Sequence, residues 1–253
     1  MRGACPTIAG TGRSGRDILR GVVSVLDDCP RVVNGPGAPD RPLARFALIG
    51  DVHAEHERLA AALAIARREG VEHSLCVGDV CDGHGDLEAT ILLLAQARVL
   101  TVRGNHDRWF LADELRTLRP VQLRAEHPGA AEAARLWLPF VEVSTVAGPL
   151  LLCHGVGDDD FAVLKAHTSL DEVRWMAAWS RLTRAGRFRF MAAGHTHEAM
   201  VRTLDGITVL NPGTLKRDDM PCVTIVDLRE GTMVVHDLDD PTRPFVRETL
   251  RVE

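Results

Sequence analysis

Residues 45–53 read RFALIGDVH, a run of mostly apolar residues that ends in a polar cluster. The first five residues are typical of a short buried strand, and Gly50 lets the backbone turn where that strand ends. Asp51 and His53 are two residues apart, so on extended backbone their side chains point the same way. The segment therefore predicts a strand that carries two potential metal ligands at its carboxyl end.

Four more polar clusters follow predicted strands in the same way. They are GDVCD at 78–82, GNHD at 104–107, HG at 154–155 and GHTH at 194–197. In α/β folds, ligands bind outside the carboxyl ends of the strands. Five such ends would bring their polar side chains to one rim, so the clusters predict a single shared site.

The segments between the clusters predict two kinds of strand pairing. Up to about residue 118, apolar strands alternate with amphipathic helices, which implies parallel strands covered by helices. Beyond it, turn signals such as Asp205-Gly206 separate strand-like runs and indicate antiparallel hairpins. Mixed pairing in both halves predicts two packed sheets with helices outside. The predicted strands are 45–49, 73–77, 98–102, 140–146, 149–153, 188–192, 200–204, 207–210, 223–228 and 232–237, and the predicted helices are 55–68, 86–97, 108–118 and 169–184.

Residues 1–44 differ from the rest of the chain because they are rich in glycine, proline and arginine, with the turn-forming segment NGPGAP at 34–39. A short helix could form at 17–26, but the region contains no recognisable chemistry. We expect a flexible N-terminal extension over 1–44, followed by one folded domain over 45–253.

The composition and the net charge limit the classes of protein to which this chain can belong. Hydrophobic residues make up 45% of the chain and charged residues 26%, which is typical of a globular protein. No apolar run approaches the roughly 18 residues that span a bilayer, and the N-terminus lacks a secretory apolar segment. Six cysteines without a CxxC pair indicate reduced thiols, so we expect a cytoplasmic protein without a membrane partner. The net charge of −5 does not favour a general nucleic-acid binder, which would be basic.

The donor types in the five clusters indicate the chemistry. Carboxylate, imidazole and amide ligands without thiolate suit divalent ions such as manganese, iron, zinc or cobalt. Seven donors are too many for one ordinary metal, but two ions about 3.5–4 Å apart would use them all. Such a pair lowers the pKa of bound water towards about 7 and stabilises negative charge on phosphorus. The pattern predicts phosphoester hydrolysis at two divalent ions, manganese first, with iron, zinc, cobalt, nickel or magnesium as alternatives.

As a set, the clusters resemble the signature of the calcineurin-like metallophosphoesterase superfamily, which is D-x-H, G-D-x-x-D, G-N-H-[DE], a later histidine and G-H-x-H. The resemblance covers about residues 46–228. The segment NPGT at 211–214 is similar to a turn of the smaller bacterial phosphodiesterase-like members. The resemblance implies a four-layer αββα sandwich, in which two mixed β-sheets pack face to face with helices outside.

The resemblance also implies roles for individual residues. His106 looks like the histidine that contacts the phosphoryl oxygen or protonates the leaving group, and Asp82 like the aspartate that orients it. Asp79 would bridge the two ions. The implied ligands are Asp51, His53, Asp79 and His197 for one ion, and Asp79, Asn105, His154 and His195 for the other.

Two positions depart from the pattern of the phosphoprotein phosphatases. That subfamily carries glycine after the D-x-H histidine and arginine after the second aspartate of G-D-x-x-D, where this chain has Ala54 and Gly83. Loss of the arginine removes a bidentate phosphate contact, which disfavours a protein phosphatase and a close dinucleoside tetraphosphate hydrolase. Arg103, just before the GNHD cluster, could reach a phosphate or form a surface salt bridge.

Three functions follow from these observations. The first is an enzyme that hydrolyses a phosphomonoester or phosphodiester of a small molecule by attack of a metal-bridging hydroxide. The second is a nuclease acting on DNA or RNA, which should have a basic groove beside the metals. The third is a catalytically silent scaffold, which should show substitutions among the ligands; here every ligand position and His106 hold workable residues. The oligomeric state is open.

Several other residues carry structural predictions. Asp158–Asp160 form a charge run that we expect to be solvated at the rim. Cys81 and Cys153 are expected to be small buried side chains rather than metal ligands. Trp175 and Trp179 are four apart on a predicted helix, so we expect both to pack in the core.

Overall fold

The computed structural model of the chain describes residues 26, 29, 30, 37, 39–114 and 120–252. The helix predicted at 17–26 lies outside these residues except for Leu26, and most of the predicted flexible extension also lies outside them. Leu26 is buried and packs against the helices of the second half of the chain. The domain boundaries stay a prediction.

The described residues form two sheets and six helices. Among them, no helix is long and apolar enough to cross a membrane. In chain order the elements are β1 (Arg45–Ile49), α1 (His56–Arg68), β2 (Ser74–Cys76), α2 (Leu87–Gln96), β3 (Leu100–Thr101), α3 (Asn105–Ala112), α4 (Pro128–Leu136), β4 (Val141–Val143), β5 (Leu150–Leu152), α5 (Leu170–Trp175), α6 (Ala177–Ala185), β6 (Phe190–Ala192), β7 (Ala199–Leu204), β8 (Ile207–Pro212), β9 (Cys222–Asp227), β10 (Thr232–Asp237) and β11 (Phe245–Arg251).

Both sheets mix parallel and antiparallel pairs, as predicted. The first has the strand order β11-β10-β9-β1-β2-β3, in which β1, β2 and β3 run parallel and the other neighbours antiparallel. The second has the order β4-β5-β6-β8-β7, with β5, β6 and β8 parallel and an antiparallel strand at each edge. The three predicted hairpins, β4–β5, β7–β8 and β9–β10, are confirmed.

Alternation along β1 explains the layers, because successive side chains of a strand face opposite sides of the sheet. Phe46 and Leu48 pack into the core between the two sheets. Ala47 and Ile49 pack on the other side, against residues of α1 and α2. A third core lies between the second sheet and helices α5 and α6. The order is therefore helix, sheet, sheet, helix, and the predicted four-layer αββα sandwich is confirmed.

The two sheets meet where β1 and β8 end. Asp51, just beyond β1, forms an isolated parallel bridge with Thr214, just beyond β8. The Asp51 carbonyl oxygen accepts hydrogen bonds from the Thr214 hydroxyl at 2.8 Å and from the Leu215 backbone N–H at 3.0 Å. These bonds join the carboxyl ends of parallel strands from both sheets, which is where the polar clusters lie.

Four elements differ clearly from the sequence predictions. The third helix begins at Asn105 rather than 108, because the Asp107 carboxylate accepts the Gly104 N–H and caps it. The helix predicted at 169–184 is two helices, since Met176 has an extended backbone that ends α5. Helix α4 and strand β11 were not predicted; β11 is a largely exposed edge strand without an apolar alternation to reveal it.

The prediction that both Trp175 and Trp179 pack in the core is wrong for Trp175, because the helix breaks at Met176. Trp179 is 1% exposed and donates its indole N–H to Asp205 Oδ2 at 3.1 Å. Trp175 is 88% exposed. A continuous helix would have placed both on one face, but the two residues now belong to different helices.

Candidate metal centre

The first group of donor atoms comes from both sheets. Asp51 follows β1, His53 lies two residues further on, and His197 lies in the loop before β7. Their ligand atoms lie within 4.8 Å of one another. Asp51 Oδ2 is 3.0 Å from His197 Nε2, and the Nε2 atoms of His53 and His197 are 3.3 Å apart.

The second group lies beside the first. Ligand atoms of Asp79, His154 and His195 also lie within 4.8 Å of one another. His154 Nε2 is 3.1 Å from Asp79 Oδ2 and 2.9 Å from the Asn105 side-chain oxygen. The His195 backbone N–H donates to Asp51 Oδ1 at 3.2 Å, which connects the two groups. All seven residues that the sequence suggested as ligands therefore lie in one region.

Three of the histidines are oriented through Nδ1. His53 Nδ1 lies 2.9 Å from the Asp82 carbonyl oxygen and His154 Nδ1 lies 2.9 Å from the Val77 carbonyl oxygen. His197 Nδ1 lies 2.7 Å from Asp219 Oδ2. Since each Nδ1–H donates to an oxygen, each Nε2 faces the site as a potential ligand. Metal-binding histidines are commonly oriented in this way.

Within the first group, acceptor atoms face one another and require a positive charge between them. A proton on His197 Nε2 satisfies part of this requirement. That proton would lie against Asp51 Oδ2, which is buried and has no other hydrogen-bond donor among the described residues. A divalent cation would satisfy the carboxylate and both imidazoles together, so the residues fit a metal ion.

Asn105 gives a second indication of the same kind. Its side-chain oxygen faces His154 Nε2, His195 Nδ1 and the Asp160 carbonyl oxygen at 2.9–3.2 Å, and all three of these are acceptors when the two imidazole nitrogens are unprotonated, as metal ligands are. Without a cation, the reversed amide orientation would satisfy these atoms better. With a cation among them, the oxygen is the correct inward-facing atom.

The charges of the site balance each other. Burial lowers the pKa of His154, but Asp79 raises it to about 10. Burial also lowers the pKa of His197, which Asp51 and Asp219 raise to about 9. His53 behaves differently, because burial dominates and lowers its pKa to about 4. In the absence of metal, His154 and His197 thus carry the positive charge that compensates the buried aspartates.

The backbone at the site is strained. Four of the seven predicted ligands adopt positive φ angles, a conformation that costs about 1–3 kcal/mol for residues other than glycine. Loop-to-loop hydrogen bonds hold this arrangement; for example, the His53 N–H donates to the Asp79 carbonyl oxygen at 2.9 Å. The angles are 46° at His53, 49° at Asp79, 67° at His195 and 61° at His197.

His106 and Asp82 form a pair next to the first group. His106 Nδ1 lies 2.8 Å from Asp82 Oδ2. Burial lowers the pKa of His106, but the hydrogen bond to Asp82 and the nearby Asp79 carboxylate raise it above its usual value. Asp82 is itself held by Gln122, through bonds in both directions at 2.9 and 3.0 Å. Sequence reasoning missed Gln122, because a single glutamine in a loop carries no signal.

Two further residues support the loops. The buried Asp107 carboxylate accepts the backbone N–H groups of Val80, Cys81 and Gly104, each at 2.9 Å. It therefore joins the loop after β2 to the start of α3. Asp107 lies within the GNHD cluster, but its supporting role was not predicted from the sequence. Residue type alone does not distinguish a supporting carboxylate from a metal ligand.

Asn211 supports the GHTH loop from β8. Its side-chain NH₂ donates to the Gly194 carbonyl oxygen at 2.9 Å and to the Thr196 hydroxyl at 3.0 Å. Its carbonyl oxygen accepts the Gly213 N–H at 3.0 Å. The NPGT segment thus orients the loop that carries His195 and His197.

The acidic run at 158–160 is not the solvated feature we expected. Asp158 pairs with Arg181 at 2.7 Å, and Asp160 pairs with Arg108 at 2.7 Å. The prediction was wrong because arginines from α6 and α3 neutralise two of the three carboxylates. Arg103 lines the cleft of about 360 Å³ beside them and forms no ion pair within the described part of the chain.

Cys81 and Cys153 are completely buried, as predicted. Burial raises the pKa of the Cys153 thiol to about 12 and that of Cys81 well above its usual value. Both are thus neutral small side chains rather than thiolate ligands.

Two further histidines lie near the polar clusters in the sequence. His84 is exposed, and His56 Nδ1 accepts the Asp86 N–H at 3.1 Å.

Comparisons with solved structures show the same fold. A hypothetical protein from Pyrococcus horikoshii is 15% identical, with a TM-score of 0.58, covering 83% of this chain and 88% of that one. A metallophosphoesterase from Sphaerobacter thermophilus is 18% identical, with a TM-score of 0.52 and coverages of 84% and 89%. The phosphoesterase YfcE from E. coli is 15% identical, with a TM-score of 0.50 and coverages of 83% and 100%.

The sequence has no match among the curated proteins compared. Among protein families, residues 45–239 match the calcineurin-like phosphoesterase superfamily domain. This match includes every residue of the two donor groups and the His106–Asp82 pair. The chain therefore belongs to the calcineurin-like phosphoesterase superfamily.

Proposed function

We propose that this protein hydrolyses a phosphomonoester or phosphodiester of a small molecule with the help of two divalent metal ions. The observation that carries the proposal is the pair of adjacent donor groups, in each of which three ligand atoms lie within 4.8 Å of one another, as they would around a cation. Two cations held there would supply the charge that stabilises a phosphoryl group and acidifies a water molecule. The proposed ligands are Asp51, His53 and His197 in one group, Asn105, His154 and His195 in the other, and Asp79 between them.

His106 is proposed to act on the ester itself. Its Nδ1–H donates to Asp82, so Nε2 is free to bind a phosphoryl oxygen or to give a proton to the departing oxygen. The raised pKa keeps this nitrogen protonated nearer to neutral pH, which suits an acid in catalysis. Asp82 and Gln122 orient the ring and do not touch the substrate in this proposal.

The loop after Asp82 supports a site unlike that of the phosphoprotein phosphatases. Gly83 has a φ of +150°, and a Cβ added there would lie 1.9 Å from the His53 carbonyl oxygen. An arginine at this position would require the backbone of both loops to move. We propose that Arg103, which has no ion-pair partner among the described residues, contacts the substrate phosphate instead.

The test is hydrolysis by the manganese-loaded protein of an aryl phosphate monoester, an aryl phosphate diester and single-stranded DNA. We expect turnover of one of the two small esters and little turnover of DNA. Preferential cleavage of DNA would favour the nuclease alternative. No turnover of any substrate, with both metals present by elemental analysis, would favour the silent scaffold.

An Asp79→Asn variant tests the proposal that Asp79 is a ligand of both metal ions. Asp79 is proposed to contact both ions, so this change should abolish activity and reduce the metal content of both groups. Asp240→Asn is a matched control, because Asp240 is exposed in the loop after β10. If Asp79→Asn retained two ions per chain and full activity, the proposed bridging role would be wrong.

A further inference from the structure

An unbroken series of aromatic contacts runs from His106 to His195. The ring of Trp109 lies 5.0 Å from that of His106 and 5.7 Å from that of Phe161. The Phe161 ring lies 5.2 Å from that of His195. We call His106, Trp109, Phe161 and His195 the aromatic arc. It begins at the residue proposed to act on the leaving group and ends at a proposed metal ligand.

The two middle members of the aromatic arc have no catalytic role in the proposed function. Phe161 is 57% exposed although its ring is apolar. Trp109 is partly exposed and lies three residues after His106 on α3, so both point from the same helix face. An exposed apolar surface that adjoins a polar centre is typical of a place where a ligand binds.

Ion pairing holds the aromatic arc in place. Arg108 forms two hydrogen bonds to Asp160, at 2.7 and 3.1 Å, and its guanidinium lies 5.7 Å from the Trp109 ring centre. Asp160 directly precedes Phe161, whose N–H donates to Asp159 Oδ1 at 3.0 Å. The loop that carries Phe161 is therefore tied to the helix that carries Trp109. A surface ordered in this way loses little entropy when a flat ligand binds.

We propose that Trp109 and Phe161 form a subsite for a flat aromatic ring on the alcohol part of the substrate, such as a nucleobase. This inference rests on the proposed function, because it takes the phosphate to lie at the metal centre. With the phosphate there and the departing oxygen near His106, the alcohol part extends along the aromatic arc. Stacking on an aromatic side chain tolerates different bases, since every base has a π-face.

The test compares two 5-phosphate esters of ribose, adenosine 5′-monophosphate, which carries adenine at C1′, and ribose 5-phosphate, which carries a hydroxyl group there. We expect the manganese-loaded protein to have a higher kcat/KM for the nucleotide. Phe161→Leu should reduce this preference by about 5- to 150-fold, which corresponds to about 1–3 kcal/mol of stacking energy. Phe245→Leu should leave the preference unchanged, because Phe245 is similarly exposed, at 59%, on the edge strand β11.

Tryptophan fluorescence gives a readout that does not depend on turnover. The nucleotide should quench the fluorescence of the wild-type protein, ribose 5-phosphate should not, and Trp109→Phe should remove the quenching. Equal kcat/KM for the two esters, or quenching that persists in Trp109→Phe, would overturn the aromatic subsite and leave the proposed function standing. Hydrolysis of neither ester nor any aryl phosphate would instead overturn the proposed function.

Discussion

His106 lies in the first turn of α3, which follows β3, and Asp82 lies in the loop after the neighbouring strand β2; their side chains meet at 2.8 Å. The other Asp82 oxygen accepts the Gln122 backbone N–H at 3.0 Å, so the carboxylate cannot rotate without losing one of these bonds. The imidazole is thereby held in one orientation with its proton directed to Asp82. Such a fixed ring can present Nε2 to a substrate without a reorientation step, which is what general acid catalysis requires.

Replacement of His106 by alanine should slow turnover without loss of metal. We expect a decrease in kcat of about 10²–10⁴-fold, the usual contribution of a general acid. The decrease should be greater for an alkyl phosphate than for a nitrophenyl phosphate, because only the alkoxide needs a proton in order to leave. Steady-state kinetics with both esters, together with elemental analysis of the metals, measures the two effects.

The pattern of polar clusters at strand ends made the site predictable from sequence. Each cluster contains ligand-type side chains and a glycine close to the end of a short apolar run, as in residues 45–53. A parallel sheet brings such ends together whatever the details of the loops. For this reason the seven donor residues could be grouped before their distances were known.

Other features depended on tertiary contacts that no local pattern contains. No glycine or proline indicates the helix break at Met176 in the sequence. The break separates the exposed Trp175 from the buried Trp179. The pairing of Asp158 and Asp160 with arginines depends on where α3 and α6 pack. Gln122 meets Asp82 across 40 residues of chain. The periodicity of hydrophobic residues predicts which face of a single helix or strand is buried, so it cannot predict contacts between different helices and strands.

Metal affinity should fall as the pH is lowered. The pKa values of His154 and His197 are raised to about 10 and about 9, so both are protonated at neutral pH in the metal-free chain. Each must lose its proton before Nε2 can bind an ion. The dissociation constant should therefore rise by about tenfold per pH unit for each proton released.

Calorimetric titration of the metal-free protein with manganese, in buffers of different ionisation enthalpy, counts these protons directly. At pH 7 we expect release of about two protons as the two ions bind, one from each histidine. Binding without proton release, and with an affinity that does not change between pH 6 and 8, would contradict the assignment of His154 and His197 as ligands.

The two tryptophans of α5 and α6 should differ sharply in their contribution to stability. Trp179→Ala removes a buried ring and its bond to Asp205, and should lower the free energy of unfolding by about 3–5 kcal/mol. Trp175→Ala removes an exposed ring and should change it by less than about 0.5 kcal/mol. Urea denaturation of both variants measures the difference. Similar losses in the two variants would mean that Trp175 is covered in solution by a contact absent from the single chain.

A methyl group at position 194 should displace a proposed metal ligand, Asp51. A Cβ added to Gly194 would lie 2.2 Å from Asp51 Oδ1 and 2.6 Å from Val77 Cγ2, and neither neighbour has space to move because both are fully buried. Gly194→Ala should therefore displace the Asp51 carboxylate and weaken its bond from the His195 N–H. We expect less bound metal, lower activity and a loss of about 1–3 kcal/mol in stability. Gly129→Ala is the control, since a Cβ there meets only the flexible end of Glu88, at 3.0 Å. A Gly194→Ala protein that kept the metal content of the control would show that Asp51 does not hold an ion through this carboxylate.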